Sequence, residues 1–182
     1  MGAPSFVAAL FLASAAAAAA QPSGNKLRVC DLLTPDELAV LGTSGQGREG
    51  QTPITQGVAK GLPMRTCGWV VPPQGSVLIS VVQKPSGGPP INEAATHEAE
   101  IAQMNEAFKP LKAQGWQEEI KDFGSIRCMV HTPPSSLKDS VISTACFGIA
   151  KGNGMTLGAN TKTRIGIETL KPLMDKAIAR LP

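Results

Sequence analysis

The sequence predicts an α+β fold: an antiparallel sheet of about five strands with helices packed mainly on one face, in the order α-β-β-α-β-β-β-α. Three observations predict it. A short segment from Thr34 to Leu41 carries complete helix-start signals, while two longer segments, 91–112 and 168–181, repeat apolar residues at helical spacing. Between them lie segments that alternate in strand fashion. Apart from the crossing made by the long helix, their connections are too short for parallel crossovers, so neighbouring strands are antiparallel.

The opening helix follows from agreement between several local signals. Thr34 serves as N-cap, Pro35 suits the first helical position with its preset φ, and Glu37 stands at N3, which makes a capping box. Leu33 and Leu38 flank it as a hydrophobic staple, and Gly42 supplies a left-handed terminus. The resulting helix is about two turns long. A helix that short is marginal alone in water, and Cys30 just before it is the obvious tether.

Residues 42–63 contain six glycines and two prolines and predict a long mobile loop. Its basic residues, in or beside it, are Arg48, Lys60 and Arg65, which makes them ligand-contact candidates; the plain alternative is a solvated loop with scattered charge. Segments 66–71 and 76–83 form a hairpin around Pro72-Pro73-Gln74-Gly75, and the apolar character of both faces of the second places it centrally in the sheet. Trp69 is expected to pack on a Cys30–Cys67 bridge.

From Ile91 to Lys112 the apolar stripe is Ile91, Ala94, Ala95, Ile101, Met104, Phe108 and Leu111. Pro110 is expected to end or kink this helix near Phe108. His97 reads as a solvated surface residue. Gly115 to Glu119 adds a short strand or turn, with Trp116 a core anchor. Segments 125–131, 141–150 and 155–161 then form a meander, its last turn marked by Asn153-Gly154 as type I′. The closing helix carries Leu170, Leu173, Met174, Ala177, Ile178 and Leu181, with Pro172 tolerable in its first turn.

Residues 1–20 read as a signal peptide, with an apolar run from Phe6 to Ala20 and small residues at Ala18 and Ala20. Cleavage there leaves residues 21–182 as one exported domain, secreted or periplasmic, soluble and monomeric. The mature part has no stretch suited to a membrane span. A formal net charge of +3 without any long basic run argues against nucleic acid as partner.

Four cysteines in an exported chain are most simply two disulfides, and of three pairings the favoured one joins Cys30 to Cys67 and Cys128 to Cys146. The second pair has a geometric reason: folding 125–131 against 141–149 about Leu137 places Cys128 opposite Cys146, at a separation a disulfide spans.

Chemical motifs are sparse. The cysteines lack C-x-x-C spacing and only two histidines exist, which argues against a metal centre. No phosphate loop or dinucleotide fingerprint implies a cofactor. No G-x-S-x-G is present, and the association of His131 with the serines and aspartate of the 132–140 loop is what chance gives at this composition. Glu118-Glu119 and Asp36-Glu37 have structural explanations first.

The set Cys30-Asp-Leu-Leu-Thr-Pro-Asp-Glu-Leu, Gly42, Cys67-Gly-Trp69, Phe123-Gly124 and the terminal amphipathic helix resembles a family of exported lipoproteins of unknown function common in mycobacteria and streptomycetes. The resemblance implies the α+β fold, a Cys30–Cys67 bridge and placement in the cell envelope, with no catalytic residues to transfer. Arg28 stands where lipidation wants a small residue, which leaves the expected product soluble. The functional expectation is a non-enzymatic binding or interaction module for an envelope protein or small ligand. The alternatives are a secreted hydrolase working through His131 and a disulfide-stapled inhibitor or immunity-type protein.

Overall fold

Seven strands, all paired antiparallel, make one sheet in the computed structural model, which describes residues 27–55, 60–83 and 92–182. The expected signal peptide, the middle of the expected 42–63 loop and the expected turn at 85–90 lie outside the described residues. The strands are β1 (Ser44–Pro53), β2 (Pro63–Val71), β3 (Gly75–Val82), β4 (Gln117–Phe123), β5 (Ile126–Thr132), β6 (Ile142–Ala150) and β7 (Asn153–Thr161), in spatial order β1-β2-β3-β7-β6-β5-β4. A 3-10 turn (Val29–Leu32) precedes α1 (Pro35–Ala39); α2 (Glu93–Ala113) carries the chain from β3 to the far edge, and α3 (Ile167–Ala179) closes it.

The expected five strands become seven because both edges escape apolar patterning. β1 replaces most of the expected loop with a strand whose sequence, Ser-Gly-Gln-Gly-Arg-Glu-Gly-Gln-Thr-Pro, has no apolar alternation at all. It is held by its backbone ladder to β2 and buries no side chain of its own. Its glycines serve proximity instead: a Cβ on Gly47 would run into Cys67 Sγ and come within 2.6 Å of Trp69 Nε1. β4 extends the expected short element at 115–119 to Phe123, hidden by its run of charges.

The helices also divide between the faces, correcting the expectation that they lie mainly on one. α1, the 3-10 turn and α3 share a core with Cys67, Trp69, Val77, Ile79, Val130 and Leu157. α3 contributes Ile167, Leu170, Leu173, Met174 and Ala177, all buried, and each large apolar side chain so placed is worth roughly 1.5–3 kcal/mol of transfer free energy. α2 lies on the opposite face, where Phe108 is its one fully buried residue among those described. Pro110 does not end α2, which continues to Ala113. The carbonyl that Pro110 deprives of a donor belongs to Glu106, on an exposed turn open to water.

Both bridges have the expected partners. Cys128 and Cys146 are direct cross-strand neighbours with Cα atoms 4.0 Å apart, and Cys30–Cys67 ties the 3-10 turn to β2 at a Cα separation of 5.1 Å. Trp69 is buried in the same cluster as this second bridge. The β6–β7 turn falls two residues earlier than expected: Lys151 and Gly152 occupy it with φ of 52° and 73°, and Asn153 already pairs with Ala150. Two successive positive φ values fit a type I′ turn, which Gly152 accepts freely and Lys151 tolerates.

The capping box forms as expected, Glu37 N donating to Thr34 Oγ1 at 3.3 Å and Thr34 N to Glu37 Oε2 at 2.8 Å. The same carboxylate accepts both arms of Arg180, at 2.6 and 2.9 Å, and Lys176 stands 3.3 Å away. Arg180 also donates to the Leu32 carbonyl at 2.8 Å. Glu37 thus joins the start of α1 to the end of α3. The Arg180 hydrogen bonds, with the Thr34 amide, hold its pKa down to about 2 from the ordinary 4.5.

Two outcomes follow from these contacts. Gly47→Ala is expected to lower stability by roughly 1–3 kcal/mol, the cost of overpacking, read as a fall in the thermal midpoint; an unchanged midpoint would mean that β1 does not press on the bridge. Because Glu37 has a folded pKa below its unfolded value, its stabilisation is present above about pH 4.5 and lost as pH falls towards 2. Glu37→Gln should therefore lower the midpoint at neutral pH, with the gap to wild type closing across that acid range; a gap constant with pH would assign the effect to something other than the carboxylate charge.

Candidate functional site

The three basic residues of the expected loop are not brought together. Arg48 pairs in register with Gly68 and is exposed on the α2 face of β1, whereas Arg65 sits on β2 on the opposite face, beside Cys67. Lys60 is exposed in the turn before β2. The Arg65 side chain is only 12% exposed; its Nη2 lies 3.9 Å from Glu49 Oε2, and its Nη1 is buried with no hydrogen-bond partner among the described residues. Glu49 Oε1 in turn accepts from the Cys30 amide at 3.4 Å, which makes Arg65 part of the packing around the bridge.

Both histidines lie between α2 and the sheet, His97 on the helix and His131 on β5, and His97 is not the solvated residue its sequence context suggests. It is half-buried and stacks on Phe147 of β6, ring centroids 5.6 Å apart, with Nε2 buried and unpartnered among the described residues. His131 on β5 stacks on Phe108 of α2 at 4.2 Å, and its Nε2 lies 3.1 Å from Glu118 Oε1 on β4. These pairs form because β4, β5 and β6 run in register beneath the helix: Glu118 opposes His131, and His131 opposes Ser143. Beside Phe147, which it opposes in register, Arg127 grips Asp122 with two bonds of 2.7 and 2.9 Å, and this pairing lowers the Asp122 pKa. Glu100 on α2 is shifted the other way, upwards, by burial. Trp116 is buried on this face as expected, with Nε1 unpartnered among the described residues.

On the α3 side of the sheet a half-open cavity of about 380 Å³ lies where three distant segments meet. The β2–β3 turn supplies Pro72, Pro73 and Gln74, the end of α1 supplies Val40 and Leu41, and the β7–α3 link with the first turn of α3 supplies Thr163, Ile165 and Thr169. Its walls are largely apolar, and Val40, 63% exposed, extends that surface past the rim. Lys162 and Arg164 also line it, but the Lys162 amine donates to the Asp139 carbonyl at 2.5 Å and the Arg164 guanidinium pairs with Glu119. Their charges are directed to partners on the β4–β6 side. The Thr161 hydroxyl is likewise used, donating to the Thr163 carbonyl at 2.6 Å. Polar recognition in the cavity is left to Gln74, Thr163 and Thr169. Its volume is at the small end of the usual range for ligand sites, which combine apolar walls with few convergent polar groups.

Sequence reasoning missed this cavity because its walls, from Val40 to Thr169, lie far apart in the chain and each had a complete local explanation as a turn or link. The double proline followed by Gln74-Gly75 was the available signal: a stiff turn that presents apolar rings to its surroundings. Among the described residues, no group of three or more His, Cys, Asp or Glu side chains is placed to hold a metal ion, and no helix is long and apolar enough to cross a membrane. A scan against protein-family models, a search of curated proteins and a search of solved structures each return no match.

Proposed function

We propose that the protein is an exported binding module whose seat is the cavity between the β2–β3 turn, the end of α1 and the start of α3. The observation that carries this reading is the cavity itself, with apolar walls and a short set of polar groups at its edge. It fits a small molecule with an apolar body and one or two hydrogen-bonding groups. Placement outside the cytoplasm rests on the apolar run of residues 6–20 and on two disulfides, which persist in oxidising compartments. The resemblance to envelope lipoproteins of unknown function points the same way.

Native mass spectrometry of the protein purified from an exporting host tests the reading. A bound small molecule is expected on the wild type and absent from Thr169→Trp, whose indole fills the cavity while the thermal midpoint stays unchanged. A ligand retained by Thr169→Trp would move the seat elsewhere. If no ligand is present, a fragment screen should shift the methyl NMR signals of Val40, Val71 and Ile165; silence at all three would reject the cavity as a site.

A further inference from the structure

We propose that Ser143, His131 and Glu118 form a second, catalytic site on the α2 face of the sheet, an ester-hydrolysing constellation with Asn160 as oxyanion donor. It goes beyond the cavity reading and is independent of it, since the two sites lie on opposite faces.

Register carries the inference. Glu118 opposes His131, His131 opposes Ser143 and Ser143 opposes Asn160, across four adjacent strands. Directly opposed residues of antiparallel strands share a face with Cβ atoms about 4.5–5.5 Å apart, so acid, base, hydroxyl and amide stand in one row. The base is already oriented, by Glu118 at 3.1 Å from Nε2 and by the Phe108 ring stacked 4.2 Å away at 13°. With Nε2 facing the carboxylate, Nδ1 is the nitrogen left for the neighbouring strand. Glu118 and His131 are 14% and 20% exposed, shielded enough to strengthen the pair and open enough for water to reach it. Among the described residues neither Ser143 nor Asn160 spends its side chain on a hydrogen bond. Ser143 does not bond His131 at rest, and such bonds are commonly loose before substrate binds.

The chemistry balances without a cofactor. Ser143 Oγ attacks the ester carbonyl carbon and gives its proton to His131 Nδ1, while the Glu118 carboxylate stabilises the imidazolium. The carbonyl oxygen takes the negative charge facing the Asn160 amide. Collapse breaks the bond to the alcohol oxygen, which leaves with the proton from His131. Water, deprotonated by His131, then attacks the acyl-serine and releases the carboxylic acid. The row runs on to Ser76 of β3, and next to it Gly158 and Leu78 form an uncharged floor. The site therefore suits a neutral ester with a short aliphatic acyl group.

The test uses the full exported chain with p-nitrophenyl butyrate and a fluorophosphonate. Wild type is expected to hydrolyse the ester above buffer and to gain a single probe adduct, mapped to Ser143 by peptide mass. Ser143→Ala should lose the adduct and about a hundredfold or more of the rate with its thermal midpoint intact, and His131→Gln should do the same. Glu118 acts as a positioning residue, so Glu118→Gln should lower kcat and move the pH profile while leaving KM alone. Asn160→Ala should lower kcat about a hundredfold. Absence of hydrolysis and adduct in wild type, an adduct at another residue, or activity surviving in Ser143→Ala would each overturn the proposal. None of these results touches the ligand in the cavity, so the two readings fail separately.

Discussion

The domain depends on a single junction, where Cys30 is bonded to Cys67 and covered by Gly47 and Trp69. The 3-10 turn and α1 are together too short to hold a fixed place on their own, and the bridge converts them into a lid on the α3 side of the sheet. Glu37 repeats the constraint from the other end by gripping Arg180, so the two ends of the described chain are locked to each other. Asp31, Asp36 and Glu37 beside a cysteine look like chemistry in the sequence. In the structure Glu37 serves as cap and clasp, and Asp31 is 3.6 Å from Arg28 on the surface, a pairing of little energetic weight.

The two faces of the sheet are built on different terms. The α3 face is a continuous apolar core in which both disulfides are embedded. The α2 face is held by two histidine–phenylalanine stacks, a bidentate Arg127–Asp122 pair and several half-buried residues, and it carries buried polar atoms without partners among the described residues. A face of that kind stabilises less and leaves more chemistry available. The titratable groups of the α2 side and the empty volume of the α3 side consequently suit different tasks.

What the sequence made legible was whatever is coded locally. Thr34, Pro35 and Glu37 define α1 within a residue, and the opposed positions of Cys128 and Cys146 predict their bridge from hairpin geometry alone. The edge strands were not legible, because β1 is a strand by backbone pairing with no side-chain pattern, and β4 alternates charges on both sides. His97 was misread for a related reason: its neighbours in sequence are acids, but its neighbour in space is Phe147. The site rows share this property. Glu118, His131, Ser143 and Asn160 become neighbours only through register, which is fixed by turns that the sequence places to within a residue or two, and a shift of one would turn every side chain to the other face.

The burial of Cys128 and Cys146 has a consequence for the order of assembly. Both are wholly inaccessible, beneath α3 and within the β5–β6 pair. An oxidant or exchanging thiol can reach those sulfurs only while α3 is undocked. The hairpin that carries them lies wholly ahead of α3 in the chain, so in assembly oxidation comes before the helix closes over the bond. Once α3 settles, the bond is sequestered, and its later exchange is governed by how often the terminal helix lifts away.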